Sequence, residues 1–208
     1  MSAPLAPTLA VAAATIGSLH ALAPDHWLPI AAVGRARSWS VQRTARVALL
    51  CGFGHVTVSA LLGVIALVSG TAVVEALGAR SGAVAGVLLI GFGAAYALWG
   101  LRRLAHRHAE HVSDPSRMTT WTLFVVYCAD PCIAVVPIVF AAASVSRAAT
   151  VAIVAVYELA TIATMVALAT LARAGAARVR GRWVERYGDA TAGGLIVATG
   201  VLVALLGW

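Results

Sequence analysis

The sequence of 208 residues contains few charged side chains and no lysine. Only 11% of its residues are charged, 61% are hydrophobic, and its mean hydropathy is +0.91. This composition excludes an ordinary soluble domain and is typical of a membrane protein with several spans. The three cysteines all fall in apolar segments, which excludes a disulfide framework. No basic residue precedes Arg35 and neither end carries a lipidation signal, so we expect no cleaved signal peptide and no lipid anchor.

Six apolar segments are long enough to cross a bilayer, which takes about 20 helical residues for ~30 Å of hydrocarbon. The sequence therefore predicts an all-α polytopic membrane protein with one membrane domain over residues 1–208. The six predicted transmembrane helices are Leu5–Val33, Arg46–Ser69, Gly82–Leu101, Thr119–Val145, Ala148–Leu171 and Ala190–Gly207.

The formal charge of +7 is carried by arginine alone, and its distribution predicts the orientation in the membrane. Arginines cluster in the first, third and fifth loops, and only Arg80 and Arg147 lie on the opposite side. By the positive-inside rule these three loops are cytoplasmic and both termini are outside. Because the charge lies in short loops beside the lipid bilayer, we expect no nucleic-acid partner. Assembly into a homo-oligomer is left open.

The first predicted span contains His20, Asp25 and His26 among apolar residues. An ionisable residue at the bilayer centre costs about 2.5–3.5 kcal/mol, so such residues by default mark a path for ions or substrate. Two imidazoles and a carboxylate suit Ni²⁺, Co²⁺ or Zn²⁺, whereas Mg²⁺ and Ca²⁺ prefer oxygen ligands. His55, preceded by Gly54 in the second span, is a further candidate ligand. The alternative is a structural network in which these groups hydrogen-bond to one another.

The first and fourth predicted spans are each interrupted by two prolines, so we expect both helices to be broken. Proline has no N–H and leaves the carbonyl four residues earlier without its helical partner. Broken helices occur at membrane depth only where protein or a cavity surrounds them. The prolines are Pro24, Pro29, Pro131 and Pro137, and the carbonyls that they free are those of His20, Asp25, Tyr127 and Ile133.

The two broken spans predict an internal repeat. Residues 1–103 and 117–208 each contain three spans, so the two halves run in opposite directions across the membrane. This 3+3 inverted repeat is typical of secondary transporters, whose binding site lies near the midplane between the repeats.

Polar residues in the second half are candidates for a supporting or coupling role. Asp130 and Glu158 could support the metal site, take part in proton coupling, bind the ion transiently or be structural. Cys128 and Cys132 lie one helical turn apart and could bind a soft metal, act as redox thiols or pack as small residues. Thr161 lies one turn after Tyr157 in the fifth predicted span and adds a hydroxyl near Glu158.

Three histidines, His106, His108 and His111, lie in the predicted third loop. A short His-rich tract can capture metal ions at a membrane surface. The same residues could equally belong to a solvated extension of the helix.

The motif His20-x-x-x-x-Asp25-His26, followed by Gly54-His55, resembles the signature of the nickel/cobalt transporter family and its efflux relatives. The segment from Asp130 to Pro137 looks like the matching break in the broader superfamily of six-span exporters. That superfamily includes the sulfite-exporter-like and urease-accessory membrane proteins. The resemblance implies a six-span permease that binds a transition-metal cation through His20, Asp25, His26 and His55.

We therefore predict a secondary transporter, permease or exporter, of a divalent transition metal. The metal is its substrate, and no enzymatic activity or cofactor is expected. The expected location is a bacterial or archaeal cell (inner) membrane. Two alternatives remain: a membrane thiol-disulfide electron carrier that uses Cys128 and Cys132, and an intramembrane zinc hydrolase, since histidines and an aspartate can hold Zn²⁺ with an open position for water.

Overall fold

The computed structural model describes residues 5–69, 71–105, 115–130, 134–178 and 182–206, and the regular structure in these ranges is entirely α-helical. This confirms the predicted all-α fold class. The helices are α1 (Leu5–Ala21), α2 (Pro24–Ala36), α3 (Val41–Ser69), α4 (Thr71–Ala105), α5 (Pro115–Cys128), α6 (Val135–Ala143), α7 (Arg147–Ala176) and α8 (Arg182–Leu206). The candidate residues outside the described ranges are His106, His108, His111 and Cys132.

Within the described ranges, three helices are long and apolar enough to cross a membrane, namely α3, α7 and the Arg186–Leu206 part of α8. Helices α1 and α2 meet the same criterion as a bent pair, which gives up to four candidate spans. Shorter apolar segments, Gly86–Arg102 and Thr119–Cys128, lie in α4 and α5. The outward surface of these helices is also apolar, since Val68, Val151 and Leu205 are each more than 70% exposed. Together these features are those of a membrane-spanning protein.

The predicted break of the first span lies at Leu22 and Ala23, between α1 and α2. The two helices are bent by 49° relative to each other, and Pro24 occupies the first turn of α2. Proline suits that position because the first N–H groups of a helix have no helical partner. In the fourth predicted span, α5 ends at Cys128 and α6 begins at Val135. Residues 131–133, including Pro131, lie outside the described ranges.

Helix boundaries differ from the predicted spans where polar residues continue a helix. The third span was predicted as Gly82–Leu101, but α4 runs from Thr71 to Ala105. Hydropathy predicts the part of a helix that lies in lipid, whereas backbone hydrogen bonding continues beyond it. Serine side chains cap the starts of α3 and α7, since the Oγ atoms of Ser40 and Ser146 accept from the backbone N–H groups of Arg43 and Ala149 at 3.1 Å.

The helices pack around a centre where α1, α2, α3 and α5 meet. Helix α7 packs against α1, α2 and α3, while α4 and α8 run antiparallel along each other. Two apolar clusters flank this centre along α3: Val47 and Cys51 belong to one, and Ala66 belongs to the other. His55 lies between them in the sequence. The polar centre is therefore enclosed by apolar side chains toward both ends of the helix.

Candidate metal centre

The bend between α1 and α2 brings two predicted ligands together. His20 lies in the last turn of α1 and His26 in the first turn of α2. The backbone N–H groups of Leu22 and Ala23 donate to the carbonyls of Leu19 and His20, at 3.2 and 3.1 Å, and so close a tight turn. The two imidazole centroids lie 4.3 Å apart with their planes nearly perpendicular. In a straight helix, residues six positions apart would point about 120° away from each other around the axis.

His55 of α3 completes a cluster of three imidazoles. Its ring centroid lies 5.1 Å from that of His26 and 6.0 Å from that of His20. One ring nitrogen from each of the three residues lies within 4.8 Å of those from the other two. His26 and His55 are 3% and 1% exposed, and His20 is half-buried. The predicted ligands from two separate spans therefore converge on one point.

The Nε2 atoms of all three histidines are buried and have no hydrogen-bond partner in the described part of the chain. Leaving a buried polar atom unsatisfied costs about 1–3 kcal/mol. Three such atoms on three converging imidazoles, in a chain with few polar residues, indicate a site for a ligand that all three can bind. A metal ion accepts electron pairs from neutral imidazole nitrogens and fits this arrangement.

Asp25 contacts the cluster through the Nδ1 atom of His26. Its carboxylate Oδ1 lies 2.8 Å from Nδ1 of His26, and the residue is 6% exposed. A proton on Nδ1 that is donated to the carboxylate leaves Nε2 with its lone pair free for an ion. The sequence predicts Asp25 as a ligand, and in the structure its carboxylate contacts the His26 ring and is not part of the converging set. Such carboxylate–histidine–metal arrangements are common in metalloproteins.

Tyr127 of α5 contacts the centre through both its hydroxyl and its backbone. The hydroxyl lies 3.0 Å from the carbonyl oxygen of Asp25 and 2.9 Å from that of His26. It donates a hydrogen bond that these two oxygens share. Nδ1 of His55 donates to the carbonyl oxygen of Tyr127, at 3.4 Å. Two carbonyls that were predicted to be freed by prolines, those of Asp25 and Tyr127, thus have partners from other helices.

Sequence reasoning missed the side chain of Tyr127. The available signal was a tyrosine in an apolar segment next to Cys128 and Asp130, since a buried phenol needs a hydrogen-bond partner. Its partners could not be identified from the sequence, because they lie about 100 residues away and are backbone carbonyls.

Cys128 and Asp130 lie close to the centre without joining the three imidazoles. The Sγ atom of Cys128 packs against Gly54, where an added Cβ would lie only 2.6 Å away. Gly54 therefore allows α5 to approach α3 next to His55. Asp130 and Asp25 line a small pocket of about 10 Å³ together with Tyr127. That volume is close to the minimum that holds one water molecule.

Thr161 and Glu158 lie on α7. The buried Thr161 hydroxyl donates to the carbonyl of Tyr157 at 2.9 Å, and the carbonyl of Gly17 on α1 lies 3.4 Å from it. A Cβ at Gly17 would approach the Tyr157 carbonyl to 2.7 Å, so this glycine brings α1 and α7 together. Glu158 is half-buried and is not part of the converging set of imidazoles.

The thiols described by the structure, Cys51 and Cys128, are free. Cys132 and the three loop histidines lie outside the described residues, so their predicted roles stay predictions. Comparison of the chain with known protein families, curated proteins and solved structures gives no match.

Proposed function

We propose that this protein is a secondary transporter of a divalent transition-metal cation, which it binds between His20, His26 and His55. The observation that carries the proposal is the convergence of three imidazoles whose Nε2 atoms are buried and have no hydrogen-bond partner among the described residues. Three protein nitrogens leave room for further ligands such as water, as in sites that exchange their ligands. A structural network would instead satisfy these nitrogens with protein groups.

The ligand set favours Ni²⁺, Co²⁺ or Zn²⁺ as the substrate. Imidazole suits these borderline ions, while Mg²⁺ and Ca²⁺ require oxygen ligands. Among the described residues the converging set contains no thiolate, which would hold a soft metal tightly and slow its release. Asp25 contacts His26 and is not part of the converging set, so the proposed ligands themselves are neutral imidazoles.

A six-span arrangement of two inverted halves explains how such a centre could be exposed to each side in turn. In this arrangement α1 and α2 correspond to α5 and α6, while α3 and α4 correspond to α7 and α8. Part of the packing matches this correspondence, because α1 contacts α7 as α5 contacts α3, and α2 contacts α7 as α6 contacts α3. The antiparallel pair α4 and α8 would be the third helices of the two halves. Both termini would then lie outside the cell membrane.

Metal flux into liposomes that contain the full chain tests this function. A metal-sensitive dye inside the vesicles reports the entry of Ni²⁺, Co²⁺ or Zn²⁺, with Mg²⁺ as the selectivity control. We expect entry of at least one transition metal with the wild type and none with His20→Ala, His26→Ala or His55→Ala. Thr57→Val is the matched control, since Thr57 is exposed on α3 and its hydroxyl donates within its own helix, to Phe53.

Two results would contradict the proposal. One is a wild type that conducts none of the three metals. The other is flux that persists in all three histidine variants. The double variant Cys128→Ser, Cys132→Ser separates metal transport from the electron-carrier alternative, because metal transport through the imidazoles survives the loss of both thiols and a thiol-disulfide relay does not.

A further inference from the structure

Tyr127 of α5 is hydrogen-bonded to both α2 and α3, and it is 4% exposed. Its hydroxyl donates into the first turn of α2, to the carbonyls of Asp25 and His26. Its own carbonyl accepts from Nδ1 of His55 on α3. One residue of α5 is therefore bonded to elements that carry two of the three imidazoles.

The two contacts act on different properties of the ligands. A carbonyl that accepts a hydrogen bond from the Nδ1–H group of His55 fixes the neutral tautomer in which Nε2 is free to bind an ion. The hydroxyl contact fixes the position of the turn that carries His26, because Pro29 leaves the Asp25 carbonyl without its helical donor. Without a cross-helix donor at that point, the first turn of α2 has no fixed relation to α5.

We infer that Tyr127 is a positioning residue for the metal centre, which aligns His26 through its hydroxyl and His55 through its carbonyl. This inference rests on the proposed function. Since α5 belongs to the second half of the chain while α2 and α3 belong to the first, a shift of α5 away from them would release both contacts together. The aligned centre thus exists only while the two halves hold the arrangement seen here.

Co²⁺ binding to the purified full-length protein tests the inference, because the visible absorption of Co²⁺ reports its coordination geometry. Tyr127→Phe removes the hydroxyl and keeps the carbonyl that contacts His55. Residues that orient metal ligands typically contribute 10–100-fold to metal affinity. We therefore expect Tyr127→Phe to bind Co²⁺ at least about 10-fold more weakly by calorimetry and to change the Co²⁺ absorption bands.

Tyr96→Phe is the matched control. The Tyr96 hydroxyl is also engaged inside the helix bundle, where it accepts from Nε of Arg37 and donates to Oδ1 of Asp189, both at 2.9 Å. Tyr96 contacts none of the three imidazoles through a ring or a hydrogen bond. We expect its variant to keep the wild-type Co²⁺ affinity and spectrum.

The outcomes separate this inference from the proposed function. If the wild type binds no Co²⁺, Ni²⁺ or Zn²⁺, both fail. If the wild type binds Co²⁺ and Tyr127→Phe has the same affinity and spectrum, the inference fails while the metal site stands. Equal changes in Tyr127→Phe and Tyr96→Phe also overturn it, because they indicate a general loss of packing.

A second variant covers the case in which Tyr127→Phe does not fold. Pro29→Ala restores a backbone N–H that can donate to the Asp25 carbonyl within α2. The double variant Tyr127→Phe, Pro29→Ala then satisfies this carbonyl without the contact to α5. We expect it to fold and still to show the altered Co²⁺ spectrum. A wild-type spectrum in this folded double variant would show that alignment of the site does not need Tyr127.

Discussion

Two helix junctions in this protein are built in opposite ways. Helices α4 and α8 touch through their backbones, because glycines recur every seven residues on both of them. A Cβ added at Gly193 would lie 2.5 Å from the Ala97 nitrogen and 2.6 Å from the Gly93 carbonyl oxygen. Small residues permit such close packing between apolar helices. The glycines at this interface are Gly86, Gly93 and Gly100 on α4, and Gly193 and Gly200 on α8.

The junction of α1, α2, α3 and α5 is held instead by hydrogen bonds between helices. In the part of the chain that the structure describes, four buried side-chain nitrogens lack a partner, and three of them are the Nε2 atoms of this junction. The fourth is Nε1 of Trp39. From this difference we expect substitutions in the first junction to change stability and substitutions in the second to change ligand binding.

The largest effect is expected from Gly193→Val. A side chain there would overlap the backbone of α4, where no flexible group can move aside, so we expect the variant to lose about 3 kcal/mol or more of stability, at or above the upper end for overpacked sites. Thermal unfolding in detergent measures the effect. Gly194→Val is the matched control, because a Cβ at the adjacent Gly194 meets nothing within 4 Å. Equal losses in both variants would show that α4 and α8 do not pack as described.

An intermediate effect is expected from His20→Leu. It should change only the stability that the protein gains when metal is added. Ligand at 100 times its Kd stabilises a protein by about 2.7 kcal/mol, so wild-type protein should unfold at a higher temperature when the metal is added. His20→Leu should lose this gain and keep the stability of the metal-free protein, because it removes an unpartnered nitrogen and replaces it with apolar volume. A variant that is much less stable without metal would place His20 among the structural residues instead.

The smallest effect is expected from Asp25→Asn. The asparagine oxygen can still accept from Nδ1 of His26, so orientation of the ring is kept and only the charge is lost. We expect metal affinity, measured by calorimetry, to fall by about 10-fold, which is the lower end of the effect of residues that orient a metal ligand. A complete loss of binding, equal to that of His26→Ala, would show that Asp25 coordinates the ion directly.

The sequence was sufficient to predict the helical fold class, the break at Pro24 and the meeting of His20, His26 and His55. These depend on local signals: apolar length, proline and the high cost of an imidazole in lipid. It was not sufficient to predict that Asp25 faces Nδ1 of His26, because that depends on the direction of one side chain. The contribution of Tyr127 was also hidden, since its hydroxyl binds backbone carbonyls that carry no sequence pattern.

The bend between α1 and α2 also has an electrostatic consequence. A helix carries a partial charge of about −0.5 at its C-terminus and about +0.5 at its N-terminus. His20 lies in the final turn of α1, at a negative helix pole, and Asp25 lies in the first turn of α2, where its carboxylate faces a positive one. A continuous helix through the same residues would have neither pole at this depth. The pole of α1 therefore attracts a cation beside His20, and the carboxylate of Asp25 offsets the opposite pole of α2 beside His26.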